Sequence, residues 1–180
     1  IITRSDFQWL CPHPPLSVLP AGNIWVPADH HWSGINDRHM VVRAADVEPC
    51  LNLLEEMLLR PAELAQAMRE RSEWNDEQLL ALQLRRRGLA GRVREFPYVM
   101  YLVRSPRDRS ATWSAGRYDP WAGHFVKYES EFRSARALAD SERKFRTLPD
   151  ASPVGVFHTD AQGHCTYTNA RWQKIYGLSL

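Results

Sequence analysis

The chain has 180 residues, 44% of them hydrophobic, enough for one ordinary core or for one and a half small ones. Its 23 Lys and Arg against 21 Asp and Glu leave a formal charge of +2, too small to make a polyanion such as nucleic acid the main partner. No stretch approaches the roughly 20 apolar residues of a membrane span, and Cys11, Cys50 and Cys165 lie far apart without a CxxC pair, so neither a disulfide framework nor a zinc knuckle is favoured and a reducing cytoplasm fits best.

The opening "IITRSDFQWL" has β-branched residues first and then Arg-Ser-Asp, before the prolines of "CPHPPLSVLP" forbid regular structure. It reads as a strand ending in a loop, with Asp6 near the strand end. It lacks the sections of a signal peptide. The chain also starts without methionine, and the expectation is an internal fragment of something longer. "NIWVP" is a second strand, followed by the polar loop "ADHHWSGINDRH" and a third apolar run, "MVV".

From Asp46 the period becomes helical. Val47, Cys50, Leu51, Leu54, Met57 and Leu58 recur at spacings of three and four, which predicts one apolar helix face. Pro61 stops that helix and opens the next, "PAELAQAMRER". Asn75 then caps "DEQLLALQLRRR", with Gln78 at the third helical position, and Gly88 ends it. Three successive helices are expected. "RVREFPYVMYLVR" returns to strand, with Pro97 making it an edge or bulged strand. "SPRDRSATWSAGRYDPWAGHF" is turn-rich. From Lys127 to about Leu148 the chain is charged, with Phe132, Ala135, Leu138, Ala139 and Phe145 on one stripe, which predicts a connecting helix able to pair with a second copy of itself.

The last stretch predicts a hairpin and a helix. Val154, Val156 and Phe157 form a strand, Asp160 to Gly163 a tight turn with Gly163 at positive φ, and His164 to Tyr167 the return strand. Asn169 caps "ARWQKIY" and Gly177 supplies a left-handed stop. Such a hairpin is marginal by itself.

This stretch, "SERKFRTLPDASPVGVFHTDAQGHCTYTNARWQKIYGLSL", resembles the start of a PAS domain. The resemblance rests on Glu-Arg-x-Phe-Arg, the Ser-Pro-Val-Gly-Val-Phe strand, the Asp-x-x-Gly turn, Tyr-x-Asn and the aromatic-Gly-Leu-Ser that follows the helix. It implies a sensory or dimerisation module whose remaining strands lie beyond Leu180. It also implies an output domain, a histidine kinase, diguanylate cyclase or phosphodiesterase, reached through helical linkers. Some PAS domains bind haem or flavin, but through residues later in the fold, so His158, His164 and Trp172 read as sheet and helix residues.

"IITRSDFQWL", "NIWVP", "SGINDRHMVV" and "WNDEQLLALQL", in that order, resemble the C-terminal half of GT-A-like glycosyltransferases of bacterial polysaccharide synthesis over residues 1 to about 125. That resemblance implies a nucleotide-sugar held with a divalent cation. Carboxylates would serve two jobs, binding a hard cation and accepting a proton from the acceptor hydroxyl. Asp6 matches the metal role by position, Asp37 and Glu77 are candidates for the base or for acceptor binding, and Arg4 and Arg38 would neutralise diphosphate charge. The family's commoner DxD is here Arg4-Ser5-Asp6, with a single carboxylate. Each residue has a plainer role open to it: Asp37 with Arg38 as a loop ion pair, and Glu77 as a first-turn acid favoured by the helix dipole. Asp29, His30, His31 and His39 read as loop polarity, and Arg85, Arg86 and Arg87, with Arg92 and Arg94, as cations near a helix C-terminus.

The expectation is an α/β chain: a GT-A-like fragment over residues 1–128, a linker helix over 129–149 and the first hairpin and helix of an α+β PAS fold over 150–180. Two functions remain open. One is a bacterial, cytoplasmic signalling protein with a PAS sensor fused to a glycosyltransferase-like domain. The other is a nucleotide-sugar-dependent transferase regulated by a PAS module. The PAS ligand is left open.

Overall fold

A computed structural model describes residues 1–70, 74–107 and 116–177. Helices and strands are both present, and the chain is of mixed α/β class. By internal packing it forms two compact units, Ile1–Ala135 and Arg136–Leu180. Residues 108–115 of the turn-rich stretch, and the Leu-Ser expected after Gly177, lie outside the described residues.

In the first unit, the stretch expected as one strand is two, β1 (Ile2–Thr3) and β2 (Phe7–Trp9), parted by Arg4, Ser5 and Asp6. The two enter different sheets. β3 (Ile24–Pro27) follows as expected, and the third apolar run supplies the short β4 (His39–Met40), which pairs antiparallel with β1. Trp25 and Val41 exchange backbone hydrogen bonds of 3.0 and 2.9 Å, which ties β4 to β3.

Between β3 and its parallel partner β5 (Val93–Phe96) come four helices, the long crossover that a parallel pair needs. They are α1 (Ala44–Leu51), α2 (Leu53–Leu59), α3 (Pro61–Arg69) and α4 (Asp76–Arg86). Ile24 and Val26 point inward from β3 and meet Met40, Cys50, Leu80 and Leu84 in the apolar core. Burying each of the larger of these side chains stabilises the unit by about 1.5–3 kcal/mol.

The caps of α3 and α4 are as expected. Pro61 is the first residue of α3, and the Asn75 side chain accepts a 2.8 Å bond from Gln78 N. The expected single helix before them is instead broken. Pro49 lies inside α1, and Asn52, out of helical geometry, ends α1 and caps α2 by accepting from Glu55 N at 3.3 Å. Of the expected apolar face, Cys50 is buried in the core, but Leu51, Leu54, Met57 and Leu58 are exposed, and Glu56 is buried in their place. The arginines of α4 account for this orientation. Arg86 bonds Glu56, and Arg87 Nη2 lies 2.7 Å from Glu55, so α2 presents its carboxylates to α4 and Leu54, Leu58 and Leu59 to solvent, while Leu53 packs against the core. Gln83 Nε2 fixes α1 from the same helix by donating to the Pro49 carbonyl at 2.7 Å.

Pro97 divides the expected final strand. It has no N–H to continue the ladder, so β5 ends at Phe96, and the chain resumes as β6 (Met100–Arg104) in another sheet. That sheet is antiparallel in the order β2, β6, β8 (His124–Val126) and β7 (Arg117–Asp119). The connecting helix is α5 (Glu129–Ala151), whose first turns belong to the first unit.

In the second unit, β9 (Phe157–Thr159) and β10 (Cys165–Thr168) pair antiparallel, and α6 (Ala170–Ile175) follows. Asp160 closes the turn by accepting from the backbone of Gln162 and His164 at 2.9 and 2.8 Å. Gly88, Gly163 and Gly177 take the left-handed φ expected of them, 68, 86 and 70°. No helix of the described residues is long and apolar enough to cross a membrane.

Candidate functional site

The loop from β3 to β4 is wound against its preference. Asp29, His30, Trp32 and Ser33 have φ of 63, 54, 46 and 66°, a region that non-glycine residues seldom occupy. Anchors hold it there. Asn75 Nδ2 donates to the Trp32 carbonyl at 2.9 Å, and Ile35 N donates to the Glu77 carbonyl at 2.9 Å. Gly34 permits that approach, because a Cβ there would overlap the Glu77 backbone. The fully buried Asn36 completes the loop: Nδ2 donates to the Asp29 carbonyl at 3.3 Å, and Oδ1 accepts from Arg38 N at 3.1 Å.

The loop, the residues after β1, the first turn of α4 and the segment before α5 enclose a cavity of about 360 Å³. Arg4, Asp37, Arg38 and Glu77, four of the five residues singled out in the sequence, line it together. Trp32 and Tyr128 give it aromatic walls, and Asn75, Asp76 and Lys127 complete it. Burial raises the pKa of both Asp37 and Glu77 above the ordinary carboxylate range, opposed at each by the Arg38 charge.

Arg38 is buried and fixed from behind. Its Nη1 bonds Oε1 of the fully buried Glu131, and its Nη2 lies 3.6 Å from Glu77 Oε1. Glu131 also accepts from Tyr98 Oη at 3.2 Å and from Leu102 N at 3.0 Å, so its charge is met by three donors. The guanidinium carbon sits 4.8 Å from the centre of the Tyr128 ring, and Lys127 Nζ lies 4.8 Å from the same centre.

Asp6 does not line the cavity. It holds Arg4 through two bonds of 2.9 Å and also bonds Arg104. Burial works against its charge, but the hydrogen bonds from Arg4 and Arg104 outweigh burial and lower its pKa to about 2. A divalent cation at Asp6 would have to displace both guanidinium groups, and the residues do not suit one. Among the described residues no group of three or more His, Cys, Asp or Glu is arranged to hold a metal ion. Asp6 therefore serves to position Arg4.

The histidines scatter. His30 packs against Tyr98 and Tyr128, and burial lowers its pKa. His31 Nε2 lies 2.9 Å from Glu95. His39 meets His13 Nε2 to Nε2 at 3.1 Å, between Trp9 and Phe96, and burial, followed by the His13 charge, lowers its pKa to about 4. Of the arginines near the end of α4, Arg86 and Arg87 pair with acids of α1, α2 and α3, and Arg92 pairs with Asp46.

Sequence reasoning passed over Asn36, Tyr98, Tyr128 and, above all, Glu131. Its signal was present: Glu131 stands one turn before Ala135 on the stripe that enters the core, and both are fully buried. The set as a whole combines carboxylates whose pKa burial raises, a fixed guanidinium and aromatic surface. Such groups can bond hydroxyls, accept a proton from one, and pack against a ring.

No family model matches the chain, and no solved structure matches it. Over 52 residues, 29% of its length, the chain is 38% identical to the peroxide stress-activated histidine kinase mak1 of Schizosaccharomyces pombe, and this stretch spans 3% of that kinase.

Proposed function

We propose that the chain is part of a signal-transduction protein in which the first unit is a GT-A-like module that binds a sugar and the second is the opening of a PAS-type sensor. The single observation that carries the sugar-binding role is the cavity in which Asp37, Glu77, Arg38 and Trp32 converge. Its chemistry suits a polyhydroxyl ligand, with carboxylates to accept from hydroxyls, a guanidinium to donate to them and an aromatic face for C–H surface. The partial similarity to a histidine kinase supports a signalling context. The hairpin, the Asp160 turn and the Asn169 cap support the PAS reading of the second unit.

A second reading is an active glycosyltransferase, favoured by the burial that raises the affinity of Asp37 and Glu77 for protons and so suits either to general-base work. Titration with UDP-glucose and with neutral sugars, beside a transfer assay using labelled donor, separates the two. Sugar binding lost on Asp37→Ala, at an unchanged urea midpoint and without turnover, supports the binding module. Turnover abolished by Asp37→Ala or Glu77→Ala supports the enzyme. Binding and turnover that are both indifferent to Asp37 and Glu77 would remove the cavity from either account.

A further inference from the structure

The cavity faces its ligand with less positive charge than its lining suggests. Arg4 is answered by Asp6 and Arg38 by Glu131, and neither carboxylate lines the cavity. Asp6 is shared with Arg104 as well. Counting each lining group with the partner behind it, five carboxylates stand against four cations. The start of α4 suits an anion poorly, because the carboxylates of Asp76 and Glu77 occupy its first turn and Asn75 already accepts from Gln78 N. About 360 Å³ is near the lower end of ligand pockets and matches one sugar ring better than a whole nucleotide-sugar. Trp32 has the His30 and Tyr128 rings beside it, at 6.2 and 6.1 Å between centres, but is half-exposed, whereas the Tyr128 ring has Arg38 and Lys127 against it, so Trp32 is the aromatic surface better placed to receive a ring.

From this balance we infer that the cavity takes a single neutral pyranose, Asp37 and Glu77 accepting from its hydroxyls against the Trp32 ring, and that it rejects phosphorylated and acidic sugars. This rests on the sugar-binding reading above and narrows it, because the diphosphate role expected of Arg4 and Arg38 falls away. A diphosphate would bring at least two negative charges toward Asp37, Asp76 and Glu77 in a partly desolvated site, where like charges repel strongly. A neutral ring brings none.

The test uses the whole chain and ligand-observed NMR with methyl glucoside, methyl galactoside and methyl mannoside, set against glucose 6-phosphate, glucuronate, UDP-glucose and inorganic phosphate. The expected result is that at least one methyl glycoside binds and every anionic probe binds at least tenfold more weakly. Asp37→Asn and Trp32→Ala should each weaken the glycoside about tenfold or more while the urea midpoint of Asp37→Asn stays in place. If UDP-glucose or phosphate binds best, and salt weakens it, the neutral-ligand inference is overturned and the sugar-handling role survives. If no sugar and no sugar phosphate binds at millimolar concentration, both are overturned.

Discussion

The two units are held together by opposite means. The first closes around Ile24, Val26, Met40, Cys50, Leu80 and Leu84, with charged pairs such as Arg38 and Glu131 buried as well. In the second, among described residues, the buried side chain is a polar one, Asn169. Asn169 Oδ1 accepts from Val156 N and Trp172 N, each at 2.8 Å, and Nδ2 donates to the carbonyls of Pro149 and Val154 at 2.5 and 3.0 Å. Around it, Phe145, Leu148, Val154, Phe157, Ile175 and Tyr176 remain exposed. Each hydrogen bond contributes a net ~0.5–1.5 kcal/mol, whereas ordering a residue costs ~1–2 kcal/mol. A hub of this kind specifies geometry without supplying a core's stability, so the first unit should resist unfolding and the second should open locally.

The largest test of this contrast is Glu131→Ala. It leaves Arg38 buried without its main partner and takes the acceptor from Tyr98 and Leu102 N, which should destabilise the first unit by about 3–5 kcal/mol. Urea unfolding followed by tryptophan fluorescence reads it, and a loss under about 1 kcal/mol would mean that the pair is not part of what holds the unit.

Acid comes next. The folded pKa of His39 is depressed to about 4 from an unfolded value of 6.5, so its contribution is fully present above pH 6.5 and is lost as pH falls toward 4. The expected loss is on the order of 3 kcal/mol. His39→Phe should flatten that stretch of the stability profile, and an unchanged slope would assign the titration elsewhere. Asp6 acts lower, its contribution fading as pH falls from 3.8 to about 2.

Smallest is Asn169→Ala, at about 1–3 kcal/mol and confined to the second unit. Amide exchange at Val156 and Trp172 should accelerate while the amides of Leu80 and Leu84 stay protected. Slow exchange at Val156 in the variant would show that the hub is not what closes the hairpin.

What could be read in the sequence was local. The Asn75 and Asn169 caps, Pro61 at the start of α3, the left-handed glycines and the Asp160 turn all follow from chemistry within a few residues, and the structure has each of them. The outward turn of Leu54 and Leu58 could not be read that way. Their periodicity is genuine, but the orientation of α2 is set by Arg86 and Arg87, about thirty positions away. Pro97 signalled a weakened strand, not a transfer of the chain from β3 to the sheet of β2. At the site, Asp37, Arg38 and Glu77 are singled out through the resemblance of their loop and helix start to GT-A-like glycosyltransferases, while loop position and the helix dipole give each a plainer reading. Glu131 is not, because an acid in the first turn of a helix has an ordinary reason to be there, and its partner lies 93 residues earlier.

The winding of residues 29–33 carries a consequence of its own. Left-handed non-glycine residues cost on the order of 1–3 kcal/mol each, and here they come nearly in succession. Such a segment has no stiffness to call upon once its ties are cut, because every released residue relaxes downhill. Severing the bond from Asn75 to the Trp32 carbonyl should therefore free the indole far more than one missing contact implies, while glycine at Ser33 would ease the tension and let the ring settle elsewhere. The aim of that single tryptophan is borrowed from its neighbours.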